Sequence, residues 1–414
     1  MGNLKEKYLK HKLLINCVVL TLLFFAHCFS PIMSYIVFPF LLLLLIFDNL
    51  ENGFSYIIFS IPYYLINGYF SNMLYFACIV AYMIKFVIFI IRKERFKIEP
   101  VVIVLLATLL IYLLLPFGPY NLNVVFKGFL IIVVFAALII ISKKSKMFNV
   151  EFNIKLAIIS LAIVSLFSLT YYISPYMQTL INELFTFRFQ ALFDNPNVLS
   201  MTCEFLMIIL SYFMISKKTK WHDWLLFGLV VLIGLLTYSK TFLIVAFITI
   251  LVIVCCKLKT DTKPTLISLA VVGALLAIFI AIKPDFVVTM WDRFFGRIEQ
   301  CKTFADVMNM VTTYRYDLWV EYLAFIGSNS VFHLFFGYGL GAPALTTLSA
   351  HNAYISMLYQ LGIVGSLLLL TTLVFVIRSL VKSKSLRVSK AVILPLVMLG
   401  LILCVEDALF YIIF

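Results

Sequence analysis

Long runs of apolar residues alternate along almost the whole chain with short polar connections. Runs of this length cross the ~30 Å hydrocarbon layer of a bilayer when they form helices. Hydropathy therefore predicts an all-α polytopic membrane protein with about twelve or thirteen transmembrane helices. The predicted spans lie near 13–30, 32–47, 54–70, 72–91, 100–115, 124–141, 155–173, 198–215, 222–237, 240–256, 265–282, 352–377 and 391–411.

Composition supports this class of protein. Hydrophobic residues make up 64% of the 414 residues and charged residues only 12%, and the mean hydropathy is +1.10. A soluble domain carries about 25% charged residues. The chain therefore has no separate soluble domain of ordinary composition.

The net charge of +13 is distributed as a topology signal rather than as a nucleic-acid footprint. Every second connection between predicted spans is basic, and these connections hold most of the lysines and arginines. Because such residues are retained on the cytoplasmic side, the N-terminus is predicted inside and two longer loops, 174–197 and 283–351, outside. The basic segments are the N-terminal lysines and 92–97, 142–146, 216–220, 257–263 and 378–390.

The outer placement of the polar loops limits the chemistry that the chain can perform. The cytoplasmic connections hold no Walker motif, and the "GYGLG" at 337–341 follows no predicted strand, so it is not a dinucleotide fingerprint. Nucleotides do not reach the outer face. A reaction there needs a donor that arrives already activated, such as a lipid-linked phosphate.

The first outer loop contains a candidate anion site. Asn195 suits a helix N-cap and Pro196 the first helical position, with Asn197 next to them. A helix that starts at the outer face presents free amides and its positive dipole end there, and the guanidinium of Arg188 lies a short loop away. The alternative is that Asn-Pro only starts a helix and that Arg188 contacts lipid headgroups.

Lys240 follows Tyr238 and Ser239 in a short polar turn between two apolar runs. A lysine on the side that the charge rule disfavours indicates a bound anion. The alternative is an interfacial anchor of tyrosine and lysine.

The second outer loop carries three candidate arginines. Arg293 and Arg297 lie in a segment, 291–300, predicted to form an amphipathic interfacial helix, for which headgroup binding is the alternative role. Arg315 lies in a second predicted helix, 312–326, on one face with Leu318, Trp319 and Tyr322.

His351 precedes the helix that follows this loop. Imidazole titrates near neutrality and accepts a proton from a hydroxyl group, although a single interfacial histidine is more often structural. Asn352, Ser356 and Tyr359 recur at helical spacing. They predict a polar stripe that faces the interior of the bundle.

Two charged residues, Glu204 and Lys85, lie well inside predicted spans, where such groups are functional candidates. Glu204 lies about two turns inside its span, below the Asn-Pro start, where it could pair with one of the outer cations. Lys85 is two turns from Arg92 and is expected to extend to the membrane surface. Glu406 and Asp407, near the outer end of the last span, are candidate orienting carboxylates.

Taken in order, these segments resemble the O-antigen ligase and polymerase family, the Wzy/WaaL-like integral membrane glycosyltransferases. The resemblance covers about 185–370, and one departure is that the usual Ser-Arg pair is Ser239-Lys240 here. The matching stretches are "RFQALFDNPNVLS" (188–200), "LLTYSKTFLIVAF" (235–247), "YRYDLWVEYL" (314–323), "FFGYGLGAP" (335–343) and "HNAYISMLYQLGIVGSLL" (351–368).

The resemblance implies a GT-C-like fold and an inverting transfer from an undecaprenyl-diphosphate-linked glycan. By position, Arg188 and Arg315 would bind the diphosphate with help from Lys240. His351, with Asn352 beside it, would act as the base or orient the acceptor. No DxD-type acidic pair faces outward, so we expect neither a metal nor another cofactor. The possible accessory residues are Arg293, Arg297, Asn195, Asn197 and Glu204.

The resemblance also divides the chain into three regions. Residues 1–173 form the N-terminal transmembrane helices, and 174–377 form the catalytic region, which includes both outer loops. Residues 378–414 form the last cytoplasmic loop and the last span. We expect a multi-pass protein of the bacterial inner, or cytoplasmic, membrane with its active site on the outer, periplasmic face.

The leading functional hypothesis is a polymerase that joins lipid-linked repeat units of a surface polysaccharide, O-antigen or capsule, with a chain-length regulator as its expected partner. The nearest alternative is the ligase that transfers the finished lipid-linked glycan to lipid A-core. A flippase or transporter for lipid-linked oligosaccharides is an alternative of a different class. None of these involves a nucleic acid.

The predicted topology is testable by cysteine labelling in intact cells. A membrane-impermeant thiol reagent should label His351→Cys and leave Ser145→Cys, within the basic connection 142–146, unlabelled. The two variants should label equally after the membrane is permeabilised. The opposite pattern would place His351 on the cytoplasmic side, where a carrier-linked donor is no longer required.

Overall fold

Helices form every regular element in the part of the chain that the structure describes. The structure is a computed structural model, and its described residues contain no β-strand. Two compact units are present, one formed by 1–96 and 145–242 and the other by 97–144 and 243–414. The described residues are 2–63, 69–93, 149–180, 188–193, 195–217, 219–258, 262–282, 284–296, 298–339 and 350–382, with single residues at 107, 111, 342 and 345.

The first unit contains eight of the described helices. Short 3-10 turns, Pro31–Met33, Ile61–Tyr63 and Ser168–Tyr172, follow the first, third and fifth of them. The helices are α1 (Gly2–His27), α2 (Ser34–Phe47), α3 (Leu50–Ser60), α4 (Tyr69–Lys93), α5 (Val150–Phe167), α6 (Pro175–Leu180), α7 (Pro196–Ser216) and α8 (Trp221–Leu236).

One helix begins in the first unit and continues in the second, and six more described helices belong to the second unit. Four of these six fall in the second predicted outer loop, which is therefore largely helical. The shared helix is α9 (Lys240–Lys257). The others are α10 (Thr262–Ile282), α11 (Asp285–Phe295), α12 (Phe304–Thr312), α13 (Arg315–Ser328), α14 (Val331–Phe336) and α15 (Ala353–Lys382).

Four helical segments among the described residues are long and apolar enough to cross a membrane: Val150–Tyr172, Pro196–Ser216, Lys240–Lys257 and Ala353–Thr371. Each coincides with a predicted span. Shorter apolar helices lie at His11–His27, Pro31–Phe47, Ala77–Phe89 and Trp221–Leu236, where spans were also predicted. The chain is therefore an α-helical membrane protein. The predicted spans at 100–115, 124–141 and 391–411 lie outside the described residues.

The predicted continuous span at 54–70 differs from the structure. Helix α3 ends at Ser60 and a 3-10 turn, Ile61–Tyr63, follows it. Pro62 lies in this turn; a proline has no backbone N–H, so it cannot donate a helical hydrogen bond to the turn before it. An apolar run that hydropathy reads as one span is thus interrupted by a proline.

Lys85 caps a neighbouring helix instead of extending to the membrane surface as expected. Its Nζ donates to the carbonyl oxygens of Leu45 and Ile46 at 2.8 and 2.9 Å and also to that of Asp48. These carbonyls lie at the end of α2, where a helix has no internal donors for them. The Asp48 side chain in turn pairs with Lys12 of α1 at 3.0 Å.

A second group of charges joins α5, α7 and α8 at one end of the first unit. Lys155 Nζ lies 2.9 Å from Glu151 Oε1 and 2.5 Å from Asp223 Oδ1. Lys217, just after α7, also pairs with Glu151. The predicted cytoplasmic ends of three spans therefore lie together. Helix α7 is 21 residues long, about 30 Å, so its start near Asn195 is that far from these charges.

The predicted amphipathic helix at 291–300 begins earlier than the pattern indicated. Helix α11 runs from Asp285 to Phe295, follows Pro284 and ends before Gly296. It buries Phe286 and Met290 and leaves Trp291 64% exposed. The helix is amphipathic as predicted, but the residues after Gly296 include a separate 3-10 turn, Ile298–Gln300.

The capping box that begins α12 shows how the charges of this region are used locally. Thr303 Oγ1 accepts from the Asp306 N–H, and Asp306 Oδ2 accepts from the Thr303 and Lys302 N–H groups. Hydrogen bonds from Thr303 and Lys302 hold the pKa of Asp306 below its usual value. Asp306 therefore stabilises the start of α12 in its ionised form.

Candidate functional site

The predicted site residues fall into two groups, one in each unit. Arg188, Asn195, Asn197, Glu204 and Lys240 belong to the first unit, and Arg293, Arg315, His351 and Asn352 belong to the second. Each group is a separate structural feature. Arg297, Glu406 and Asp407 lie outside the described residues.

Arg188 connects two helix ends in the first unit. Its Nε donates to the Thr237 carbonyl at 2.8 Å, just after α8, and its Nη2 donates to Asn197 Oδ1 at 2.5 Å, near the start of α7. The neighbouring Phe189 N–H donates to the Leu236 carbonyl at 2.9 Å. One guanidinium thus fixes the loop after residue 187 to both helix ends.

The start of α7 has the predicted form. Asn195 is extended, its Oδ1 accepts from the Asn197 N–H at 2.8 Å, and Pro196 occupies the first turn. Two turns further along, Glu204 is only 1% exposed, and Ser200 Oγ donates to its Oε1 at 3.0 Å. The buried carboxyl group therefore receives a hydrogen bond from within its own helix, and its expected pairing with an outer cation stays a prediction.

The polar turn before α9 is as tight as the sequence predicted. Tyr238 adopts a left-handed conformation with φ of 53°, and Ser239 Oγ accepts from the Phe242 N–H at 3.3 Å. Lys240 is the first residue of α9, three positions after Thr237, whose carbonyl accepts from Arg188. The starts of α7 and α9 and two cationic side chains therefore occur in one region. Such a region favours an anion.

In the second unit, Arg315 is the first residue of α13. The sequence predicted that this helix begins at 312. It begins three residues later because Thr313 and Tyr314 both have positive φ values, 59° and 63°. Two bonds with Asn309 support this corner: its carbonyl accepts from the Tyr314 N–H at 2.7 Å and its Oδ1 from the Asp317 N–H at 3.1 Å.

His351 lies between two fixed neighbours at the start of α15. The carbonyl of Ala350 accepts from Trp319 Nε1 at 2.9 Å, and Asn352 Oδ1 accepts from the Tyr354 and Ile355 N–H groups at 3.0 and 3.2 Å. His351 itself has φ of 48°. A non-glycine residue in this region is uncommon and costs about 1–3 kcal/mol. The backbone at His351 is therefore held in a strained conformation between two fixed neighbours.

These contacts give Asn352 a defined structural role as the N-cap of α15. The polar stripe that it starts is buried, as predicted: Asn352, Ser356 and Tyr359 are 9%, 6% and 7% exposed. The chemical roles of Asn352 and His351 remain predictions.

The segment that contains Gly337 and Gly339, called the glycine-rich loop, packs against a break in α15. Gly362, with φ of 61° and ψ of −170°, interrupts the helix. The N–H groups of Tyr338 and Gly339 donate to the carbonyls of Tyr359 and Gln360 at 3.0 and 2.9 Å. These carbonyls lie just before the break, so the loop supplies donors where the helix does not. Backbone inside a membrane-spanning segment requires such partners.

Sequence reasoning missed His333. Its ring stacks on Tyr338, with centroids 4.3 Å apart, and Tyr338 stacks on Tyr359 of α15 at 5.0 Å. Tyr322 of α13 meets Tyr359 edge-on at 5.3 Å. The sequence signal that could have identified His333 is its spacing, four residues before Gly337, the first glycine of the loop. In the structure His333 Nδ1 lies 3.2 Å from the Gly337 carbonyl oxygen. His333 therefore belongs to the structure that fixes the loop.

Arg293 differs from the other candidate arginines. It is half-buried on α11, and burial lowers the pKa of its guanidinium below the ordinary value. An arginine stays charged at neutral pH despite such a shift. Its position on an amphipathic helix fits the headgroup-binding alternative as well as the accessory role.

The fold and these two groups define the chain as an α-helical membrane protein with polar groups concentrated at helix starts. Comparison with models of known families, with curated proteins and with solved structures finds no match to this chain. The resemblance to the O-antigen ligase and polymerase family therefore remains a prediction from the sequence.

The contact between the loop and the broken helix should not tolerate a side chain at either glycine. A Cβ at Gly362 would lie 2.5 Å from the Gly337 N atom, and one at Gly337 would lie 2.4 Å from the Gln360 carbonyl oxygen. We expect Gly362→Ala and Gly337→Ala each to destabilise the fold by about 2–4 kcal/mol. The measurement is the midpoint of thermal unfolding of the purified protein.

Gly327→Ala is the matched control, because Gly327 lies in α13 and a Cβ there would meet nothing within 4 Å. Alanine favours a helix over glycine by up to about 1 kcal/mol, so this variant should be as stable as the parent or more so. Equal stability of all three variants would contradict the close packing at Gly362.

Proposed function

We propose that the protein is a polymerase that joins undecaprenyl-diphosphate-linked repeat units of a bacterial surface polysaccharide on the outer face of the cytoplasmic membrane. One observation carries the proposal: several of the candidate residues lie at the starts of four helices, and Arg188 contacts one of these starts. Asn195 and Asn197 begin α7, Lys240 begins α9, Arg315 begins α13, and His351 precedes α15. Helix starts attract phosphate groups.

The proposed chemistry needs these groups in two roles. The resemblance assigns Arg188 and Lys240 of the first unit and Arg315 of the second unit to the donor diphosphate, where such cations would stabilise the negative charge that grows on it as it leaves. His351 takes the proton of the acceptor hydroxyl. The acceptor oxygen then bonds to the anomeric carbon, and the bond from that carbon to the diphosphate oxygen breaks with inversion. In this proposal the fold is GT-C-like and neither a metal nor another cofactor takes part.

A ligase would use the same groups with a different acceptor, so it shares the observation that supports the polymerase. A transporter of lipid-linked oligosaccharides is a candidate of a different class. The break in α15 at Gly362 favours it, because discontinuous helices line the substrate sites of many transporters. The buried carboxyl group of Glu204 also fits a transport path.

A strain whose only copy carries His351→Ala distinguishes the three functions. We expect transfer to fall by about a hundredfold or more, since a positioned base contributes that much, while the protein reaches the membrane in normal amount. Electrophoresis of the surface glycan should then show single repeat units. His222→Ala, with a half-exposed ring near Asp223, is the matched control and should leave long polymer.

Two other outcomes would replace the polymerase. Long chains that accumulate on the carrier lipid would indicate the ligase, and repeat units that accumulate on the cytoplasmic face would indicate the transporter. Normal long polymer in the His351→Ala strain would remove the proposed base.

Replacement of the diphosphate-binding arginines by lysine should reduce transfer although the charge is kept. Lysine cannot form the paired hydrogen bonds of a guanidinium, so Arg188→Lys and Arg315→Lys should each lower polymer yield by about tenfold or more. Arg92→Lys, in the basic connection 92–97, is the control and should give normal yield. Unchanged yield in both test variants would shift the diphosphate site to Arg293 and Arg297.

A further inference from the structure

Helix α13 directs one face towards Leu345 and Ala350, which precede α15 in the chain. Arg315, Trp319, Tyr322 and Ile326 are spaced by four, three and four residues, so they share this face. Tyr322 and Ile326 are buried with Ala350 and Tyr359 in one hydrophobic cluster. Packing therefore places this face of α13 against the start of α15.

Two side chains of this face form hydrogen bonds with the backbone before α15. Trp319 Nε1 donates to the Ala350 carbonyl at 2.9 Å, and Tyr322 OH accepts from the Leu345 N–H at 2.9 Å. Trp319 and Tyr322 are one turn apart. Helix α13 thus holds the backbone at Leu345 and at the peptide unit that joins Ala350 to His351.

This peptide unit adjoins a strained backbone conformation at His351. His351 has φ of 48°, and a strained conformation persists only where its surroundings impose it. On one side Trp319 holds the Ala350 carbonyl, and on the other side Asn352 caps α15. Removal of the Trp319 bond releases the peptide unit on the Ala350 side of His351.

Arg315 occupies the same face of α13, one turn before Trp319. Side chains four residues apart on a helix have Cβ atoms about 5–6 Å from each other. A single helix therefore carries a proposed diphosphate ligand and, one turn further on, the indole that holds the backbone at the proposed base.

We propose that Trp319 is a positioning residue: its indole N–H sets the backbone at His351 and keeps the imidazole in a fixed relation to Arg315. The catalytic part of this inference rests on the proposed function. The structural part does not, because it concerns only the conformation at residue 351. The two parts have separate tests.

The structural test measures how fast a cysteine at 351 reacts. His351→Cys is combined with either Trp319 or Trp319→Phe in the purified full-length protein, and the rate constant for maleimide labelling of residue 351 is followed by peptide mass spectrometry. Phenylalanine keeps an aromatic ring and removes the N–H donor. We expect the rate constant at 351 to change at least threefold.

A second introduced cysteine, Gly327→Cys, provides the internal comparison, because Gly327 is exposed on α13, the helix that carries Trp319. A general loosening of the unit would change labelling at both positions, whereas loss of the Trp319 bond should change labelling at 351 alone. Equal rate constants at 351 in the two backgrounds, or parallel changes at 351 and 327, would overturn the positioning role whatever reaction the protein catalyses.

The catalytic test uses Trp319→Phe with His351 intact. Loss of the hydrogen bond from Trp319 to the Ala350 carbonyl should lower the rate of transfer about three- to tenfold. The amount of protein in the membrane should stay normal. Trp291→Phe makes the same chemical change at an exposed position on α11 and should leave the rate unchanged. A normal rate in Trp319→Phe, where His351→Ala is inactive, would overturn the catalytic part of the inference and leave the proposed function standing. Full activity of His351→Ala would remove the proposed base, and with it the catalytic part of this inference, without affecting the labelling result.

Discussion

Polar backbone groups at the ends of helices need partners within the protein wherever water does not reach them. This constraint accounts for much of the polar chemistry in the described part of the chain. At the end of α2, the ammonium group of Lys85 donates to the free carbonyls. At the break in α15, the glycine-rich loop supplies two N–H groups. At helix starts, Asn195 and Asn352 accept from free amides.

The same constraint concentrates functional candidates at helix starts. A residue that caps or begins a helix lies next to amides whose partial positive charge attracts anions. Arg188 adds a guanidinium that contacts the start of α7 and the turn before α9. In the second unit, α13 begins with Arg315 and contacts the backbone beside His351. Structural capping and the proposed binding of a diphosphate therefore use the same places in the fold.

Local sequence signals predicted several of these places correctly. Asn195-Pro196 marked the start of α7, the short polar turn marked the start of α9, and the polar residues from Asn352 to Tyr359 lie on a buried stripe. In each case the cause is local, since a cap, a proline or a helical period acts over a few residues. The assignment of these residues to a glycosyltransferase is a proposal that the resemblance and this geometry support.

The sequence by itself determined the class of the protein, an α-helical membrane protein, and the positions where several helices begin, because hydropathy and capping depend on neighbouring residues. Only the tertiary structure decided which side chains meet. The use of Lys85 as a cap for α2, the bond from Trp319 to the peptide before His351 and the fit of Gly337 against Gly362 join residues that are far apart in the sequence. Such contacts arise from the packing of one helix on another, and no local pattern encodes the partner.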